Sequence, residues 1–212
     1  MVTNRVPWES FEQWSATGFL VGGGLMTVFW ALISLAVFMD IESPQGLFAM
    51  AALVAIFIGL LGLYPTLSDQ SSRAARAGVG LLSVTTVGVF VIFVWILASR
   101  ILLVAGMDVP ALPPGIIIGP TVGGYALTVL LFGVASLWTG VPSRMVGVLL
   151  LAIFGVFALP PIAGIIWGGY PAEWMAVIVS GLQAVAILSV GYILRTDSAS
   201  TDHTETSADV SM

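Results

Sequence analysis

The amino-acid sequence predicts an all-α, polytopic membrane protein, a bundle of six transmembrane helices. Three observations predict it. Hydrophobic residues make up 58% of the 212 positions and charged residues only 8%, with a mean hydropathy of +1.08, far outside the range of a water-soluble domain. The apolar residues fall in continuous runs of about 20, the length needed to cross a hydrocarbon core as a helix. Those runs lack the strict alternation of a membrane-spanning barrel strand, so the backbone must satisfy its own hydrogen bonds within helices.

The chain divides into an interfacial segment (1–17), a six-helix domain (18–195) and an acidic tail (196–212). In the first, Glu9 and Glu12 stand where a signal peptide carries positive charge, so no cleavage is expected. Trp8, Phe11 and Trp14 recur every third residue, an aromatic belt on one side of a short interfacial helix opened by Pro7. The first span is expected over about Gly18 to Met39, followed by an acidic turn at Asp40 and Glu42. Ser43 and Pro44 read as N-cap and first residue of the second span, which is expected to end at Pro65.

The third span, about Ala77 to Ala105, is the longest, with Arg73 and Arg76 before it and Arg100 near its far end. The proline-crowded stretch from Val109 to Gly124 reads as an apolar loop lying against or dipping into the membrane before the fourth span, which runs to Trp138. Pro142 is placed at the first position of the fifth span, and Pro160 with Pro161 is expected to kink or end it. Pro171 and Glu173 open the sixth, which is expected to finish at Leu194 and Arg195. The tail beyond carries too little apolar surface to offset ordering entropy and is expected to be disordered.

Six spans put both termini on one side. Arg5, Arg73, Arg76, Arg144 and Arg195 share that side, and Asp40, Glu42, Asp108 and Glu173 the other. The positive-inside rule makes the termini cytoplasmic, in a cell membrane.

Composition excludes several activities. There is no cysteine, so thiol nucleophiles, disulfides and cysteine-held clusters are ruled out. The single histidine, His203, lies in the tail, leaving no histidine ligand for a haem within a span. All six basic residues are arginine, which removes a Schiff-base lysine. No P-loop, dinucleotide fingerprint, metal-binding spacing or Ser/His/Asp set occurs, and no carboxylate lies deep in a span, which argues against a proton relay. No cofactor and no nucleic-acid partner are expected; the partners are the lipid bilayer and either another membrane subunit or further copies of this chain. An arginine-only, cysteine-free chain with an acidic, Ser/Thr-rich tail resembles, in composition, membrane proteins of extremely halophilic archaea. That resemblance names no activity.

The candidate site is polar and lies in the half of the bundle away from the termini: Arg100, Asp108, Tyr125 and Gln183. Arg100, near the end of a span, is expected to face protein and pair with Asp108. Gln183 is the one side-chain amide well inside a span and must find a partner in protein; Tyr125 lies at comparable depth. Small-residue pairs at Gly18 and Gly22, along Gly115, Gly119 and Gly123, and at Gly164 and Gly168 support close helix contacts weakly. An echo between halves is also present: VGGGLMTV in the first span against VGGYALTV in the fourth, AIFIGLLGLYP against AIFGVFALPP, and an Ile-Leu stretch with an arginine closing the third and sixth. Three spans repeated once would be inverted in the membrane, the plan of many transporters. Two functions are expected in order: a non-enzymatic structural or accessory subunit, because deep polar residues are sparse, and then a small-solute or lipid transporter.

Overall fold

The computed structural model describes residues 13–41, 45–70, 72–107, 114–167 and 173–209. Six helices form: α1 Ser15–Met39, α2 Gln45–Ser68, α3 Ser72–Val104, α4 Pro114–Thr139, α5 Arg144–Trp167 and α6 Glu173–Asp209, with no strand among the described residues. Stretches long and apolar enough to cross a membrane lie in five of them, Ser15–Met39, Gln45–Ser68, Arg73–Ser99, Gly119–Thr139 and Glu173–Asp197. In α5 the apolar stretch is Arg144–Ala158, and helical backbone continues to Trp167. The chain is therefore an all-helical, multi-pass membrane protein.

The helices stand in a ring in chain order. Each packs on its neighbours in sequence, α1 closes the ring on α6 with the most extensive seam of all, and α2 touches α4 across the middle. The seam between α2 and α3 is the thinnest in the ring. Phe19, Leu60, Leu63, Leu82, Phe132, Leu150, Ile153 and Ile187 are buried between helices, while Phe38, Phe90, Val104, Trp138 and Val185 point outward. With apolar side chains on both sides, burial in lipid brings no hydrophobic gain, so close packing and small residues must hold the helices together.

Helix ends follow local chemistry, and here several expectations are corrected. Gly106 and Gly140 have φ of +71° and +75° and terminate α3 and α4, the left-handed conformation glycine adopts without steric cost. At the end of α4, Gly140 N–H donates to Ser136 O (2.9 Å) and Ser136 Oγ to Val141 O (2.9 Å). Pro142 is not the first residue of α5. Ser143 caps that helix, its Oγ accepting from Val146 N–H at 3.3 Å, which satisfies a free amide that a proline one position earlier could not.

Prolines end fewer helices than expected. Pro65 lies inside α2, which runs to Ser68; a proline in the last turn forfeits one bond and leaves little helix to disrupt. The expected loop at 109–124 is shorter, since α4 starts at Pro114 and continues through Pro120. Proline favours the first turn, where amides lack partners anyway. Helical backbone also runs through Pro160 and Pro161, a tolerance membrane helices gain from their neighbours. At the other end of α6, helix continues past Arg195 through Asp209, where no glycine or proline stops it. Trp14 is the N-cap residue of α1 and half exposed; Trp8 and Phe11 lie outside the described residues.

Two antiparallel seams share a register at their first two glycine contacts and differ by one residue at the third, on α4. Between α1 and α6, Leu20 faces Gly191, Gly23 faces Leu188, and Trp30 faces Gly181. Between α4 and α3, Thr121 faces Gly88, Gly124 faces Thr85, and Phe132 faces Gly78. Each seam thus has glycine at three corresponding contacts, one on the first helix and two, equally spaced, on the second. The likeness extends to side chains: Thr27 Oγ1 donates to Gly23 O (2.9 Å) and Thr128 Oγ1 to Gly124 O (2.8 Å). TVG at 86–88 stands in α3 where SVG at 189–191 stands in α6. The remaining helices do not follow suit. Gly18 and Gly22 of α1 press on α2, whereas Gly119 and Gly123 of α4 meet nothing.

Candidate polar cavity

Gln183 is carried by the middle of the apolar stretch Glu173–Asp197 of α6, and its face of that helix is set by the α1 seam. Gly181 and Gly191 must meet α1, since a Cβ at either would lie 2.8 Å from Trp30 Nε1 or from Leu20 N. The neighbouring face, which bears Ala176, Val179, Ser180 and Gln183 at helical spacing, lines a cavity of about 440 Å3 shared with α1 and α5. From α1 come Met26, Phe29 and Ile33, one stripe of that helix, and from α5 Pro160. Glu173, in the first turn of α6, also lines it; a carboxylate there is favoured by the helix dipole.

The polar residues lining this cavity are Glu173, Ser180 and Gln183, and Gln183 carries a stranded donor. Gln183 is only 5% exposed, and its Nε2 is buried without a hydrogen-bond partner. Leaving such a donor unsatisfied costs about 1–3 kcal/mol. Ser180 Oγ, which donates to Val177 O at 3.1 Å, does not accept from it. Two other buried side-chain oxygens lack partners, Gln45 Oε1 and Ser99 Oγ, and neither lines this cavity.

The other expected site residues are placed differently. Tyr125 is buried in α4 between Phe57 of α2, at a centroid distance of 6.0 Å, and Phe157 of α5, at 5.5 Å and edge-on. These are ordinary aromatic packing geometries, and Tyr125 is not among the described residues lining the Gln183 cavity. Arg100 lies four residues from the end of α3, but its side chain is outside the described residues, as is Asp108. Their expected pairing therefore falls outside the described residues.

Sequence reasoning missed the apolar lining of the cavity and the part of Glu173 in it. The available signal was the spacing Ala176, Ser180, Gln183, a small and polar stripe on one face. A second hollow, about 470 Å3, opens between α2 and α3, where packing is thinnest. Its wall is apolar apart from Thr86, whose hydroxyl donates to Leu82 O at 2.8 Å. The chain matches no protein-family model, no curated protein and no solved structure.

Proposed function

We propose that this chain is a membrane transporter for a small solute or lipid, built as two inverted three-helix halves, seated in the cell membrane with both termini cytoplasmic. The carrying observation is the common register of the α1–α6 and α4–α3 seams. Successive spans alternate in direction, so α1 and α4 run oppositely, and helices that share a register while running oppositely are what an inverted repeat produces. Such proteins bind their substrate near mid-membrane. Glu173 and Gln183 are separated by about 15 Å of helix, half of a hydrocarbon core of about 30 Å. On this reading the stranded amide of Gln183 lies near mid-membrane. The arginine distribution supports the orientation.

The absence of cysteine offers a direct test. Val179→Cys, on the cavity wall, should react with an impermeant maleimide applied to either face of proteoliposomes containing uniformly oriented protein. Reaction from one face alone would reject alternating access. It would favour the second reading, a non-enzymatic accessory subunit, whose motive is the thin α2–α3 seam and its apolar hollow.

A further inference from the structure

We infer that the Gln183 cavity binds a small, largely apolar molecule, uncharged or cationic, that presents a hydrogen-bond acceptor such as a carbonyl or ether oxygen to Gln183 Nε2. This is the substrate class of the proposed transport path, and it rests on that reading only for the route in and out.

The first ground is Gln183, which lines the cavity and carries an unpartnered donor. Gln183 is buried and its Nε2 has no partner; neither Ser180 Oγ, which donates to Val177 O, nor the Glu173 carboxylate accepts from it. No acceptor among the described residues lies within hydrogen-bond reach of Nε2. The second ground is size. A volume of about 440 Å3 lies within the range of small-molecule sites, about 300–1,000 Å3. One water, whose share of liquid volume is about 30 Å3, would satisfy part of the amide and leave most of an apolar hollow empty.

The third ground is the character of the wall. Met26, Phe29, Ile33 and Met175 line it, and methionine adapts its shape to varied apolar surfaces. The described lining carries one ionisable group, Glu173. A carboxylate in the lining repels an anion and attracts a cation, so fatty acids and similar anions are disfavoured. The acceptor could be carried by a free solute or by the ester or ether region of a membrane lipid; the chemistry at Gln183 is the same.

The test uses the full chain in nanodiscs with three diazirine probes: a ten-carbon methyl ketone, the carboxylate of the same length, and a phospholipid. The ketone should crosslink saturably, map by mass spectrometry to Met26, Phe29 or Met175, and be displaced by untagged ketone. Gln183→Leu should weaken it about tenfold, the effect of one lost hydrogen bond of ordinary strength. The carboxylate should label more weakly than the ketone, and Glu173→Gln should narrow that gap. Phospholipid labelling at the same residues, displaced by ketone, would identify the bilayer as a source. Non-saturable labelling, equal labelling by the carboxylate, or a Gln183→Leu protein that melts no lower than the parent and binds ketone equally would overturn the inference. If these fail while Val179→Cys still reacts from both faces, the ligand class falls and transport stands.

Discussion

Gly18→Ala puts the packing account of this bundle at risk in a single methyl group. A Cβ at residue 18 would lie 2.5 Å from Gly59 N, 2.8 Å from Ala55 O and 2.9 Å from Gly59 Cα. All three are backbone atoms of α2, so no side chain can rotate away, and the helices must part by about 1 Å to restore ordinary contact. Overpacking of this kind costs about 1–3 kcal/mol. The same movement stretches the bond from Ser15 Oγ to Gly59 O, 3.0 Å long and joining α1 to α2; interhelical bonds in membranes contribute about 0.6–2 kcal/mol. Against these stands a helix-propensity gain of at most about 1 kcal/mol for replacing glycine by alanine. The net expectation is a loss of about 1–3 kcal/mol. Gly24, in the same helix, meets nothing within 4 Å, so Gly24→Ala should be neutral or stabilising by up to about 1 kcal/mol. Equilibrium unfolding in mixed micelles, followed by tryptophan fluorescence, measures both. Equal stability of the two variants, within about 0.5 kcal/mol, would refute the reasoning.

Three further outcomes are expected. Gln183→Leu removes the stranded amide and should stabilise ligand-free protein in detergent by about 1–3 kcal/mol; a comparable loss in the same unfolding measurement would show that Nε2 has a partner after all. On intact cells, a cysteine at Ser43 should react with impermeant maleimide and one at Ser72 should not, as the arginine distribution requires, and the opposite pattern would invert the proposed orientation. Truncation after Arg195 should leave the melting temperature nearly unchanged at fixed salt, because the polar residues beyond it offer little apolar surface for packing; a large drop would mean the tail docks.

The spans could be read from the sequence because apolar runs of that length have no other stable conformation in a bilayer. Their ends were harder to read. Pro65, Pro120 and Pro160 look like stops, but in water a broken backbone bond ends a helix partly because solvent takes up the freed groups, and lipid offers no such exit. The burial of Gln183 was legible, since an amide cannot face lipid without cost. Its companions were not: Tyr125 shares its depth, but the register of α4 and α5 turns Tyr125 toward Phe57 and Phe157. The likeness of VGGGLMTV to VGGYALTV was visible in the letters. So was the Ile-Leu stretch and arginine closing the third and sixth spans; the contacts of Gly78, Gly88, Gly181 and Gly191 with the facing helices were not, because partners appear only once helices are packed.

The hydroxyls of this bundle have an electrical consequence. Thr27, Thr85, Thr86, Thr121, Thr128 and Ser189 each donate to the carbonyl four residues earlier in their own helix. A proton moves along a chain of hydroxyls only if each can hand its hydrogen to the next, and a hydroxyl turned back on its own backbone is a dead end. Thr85, Thr121 and Thr128 among them are buried and add polarity to the interior without passing a proton to one another. On the proposed transport reading, a bundle wired this way would let its helices rearrange around a cargo without opening a path for protons.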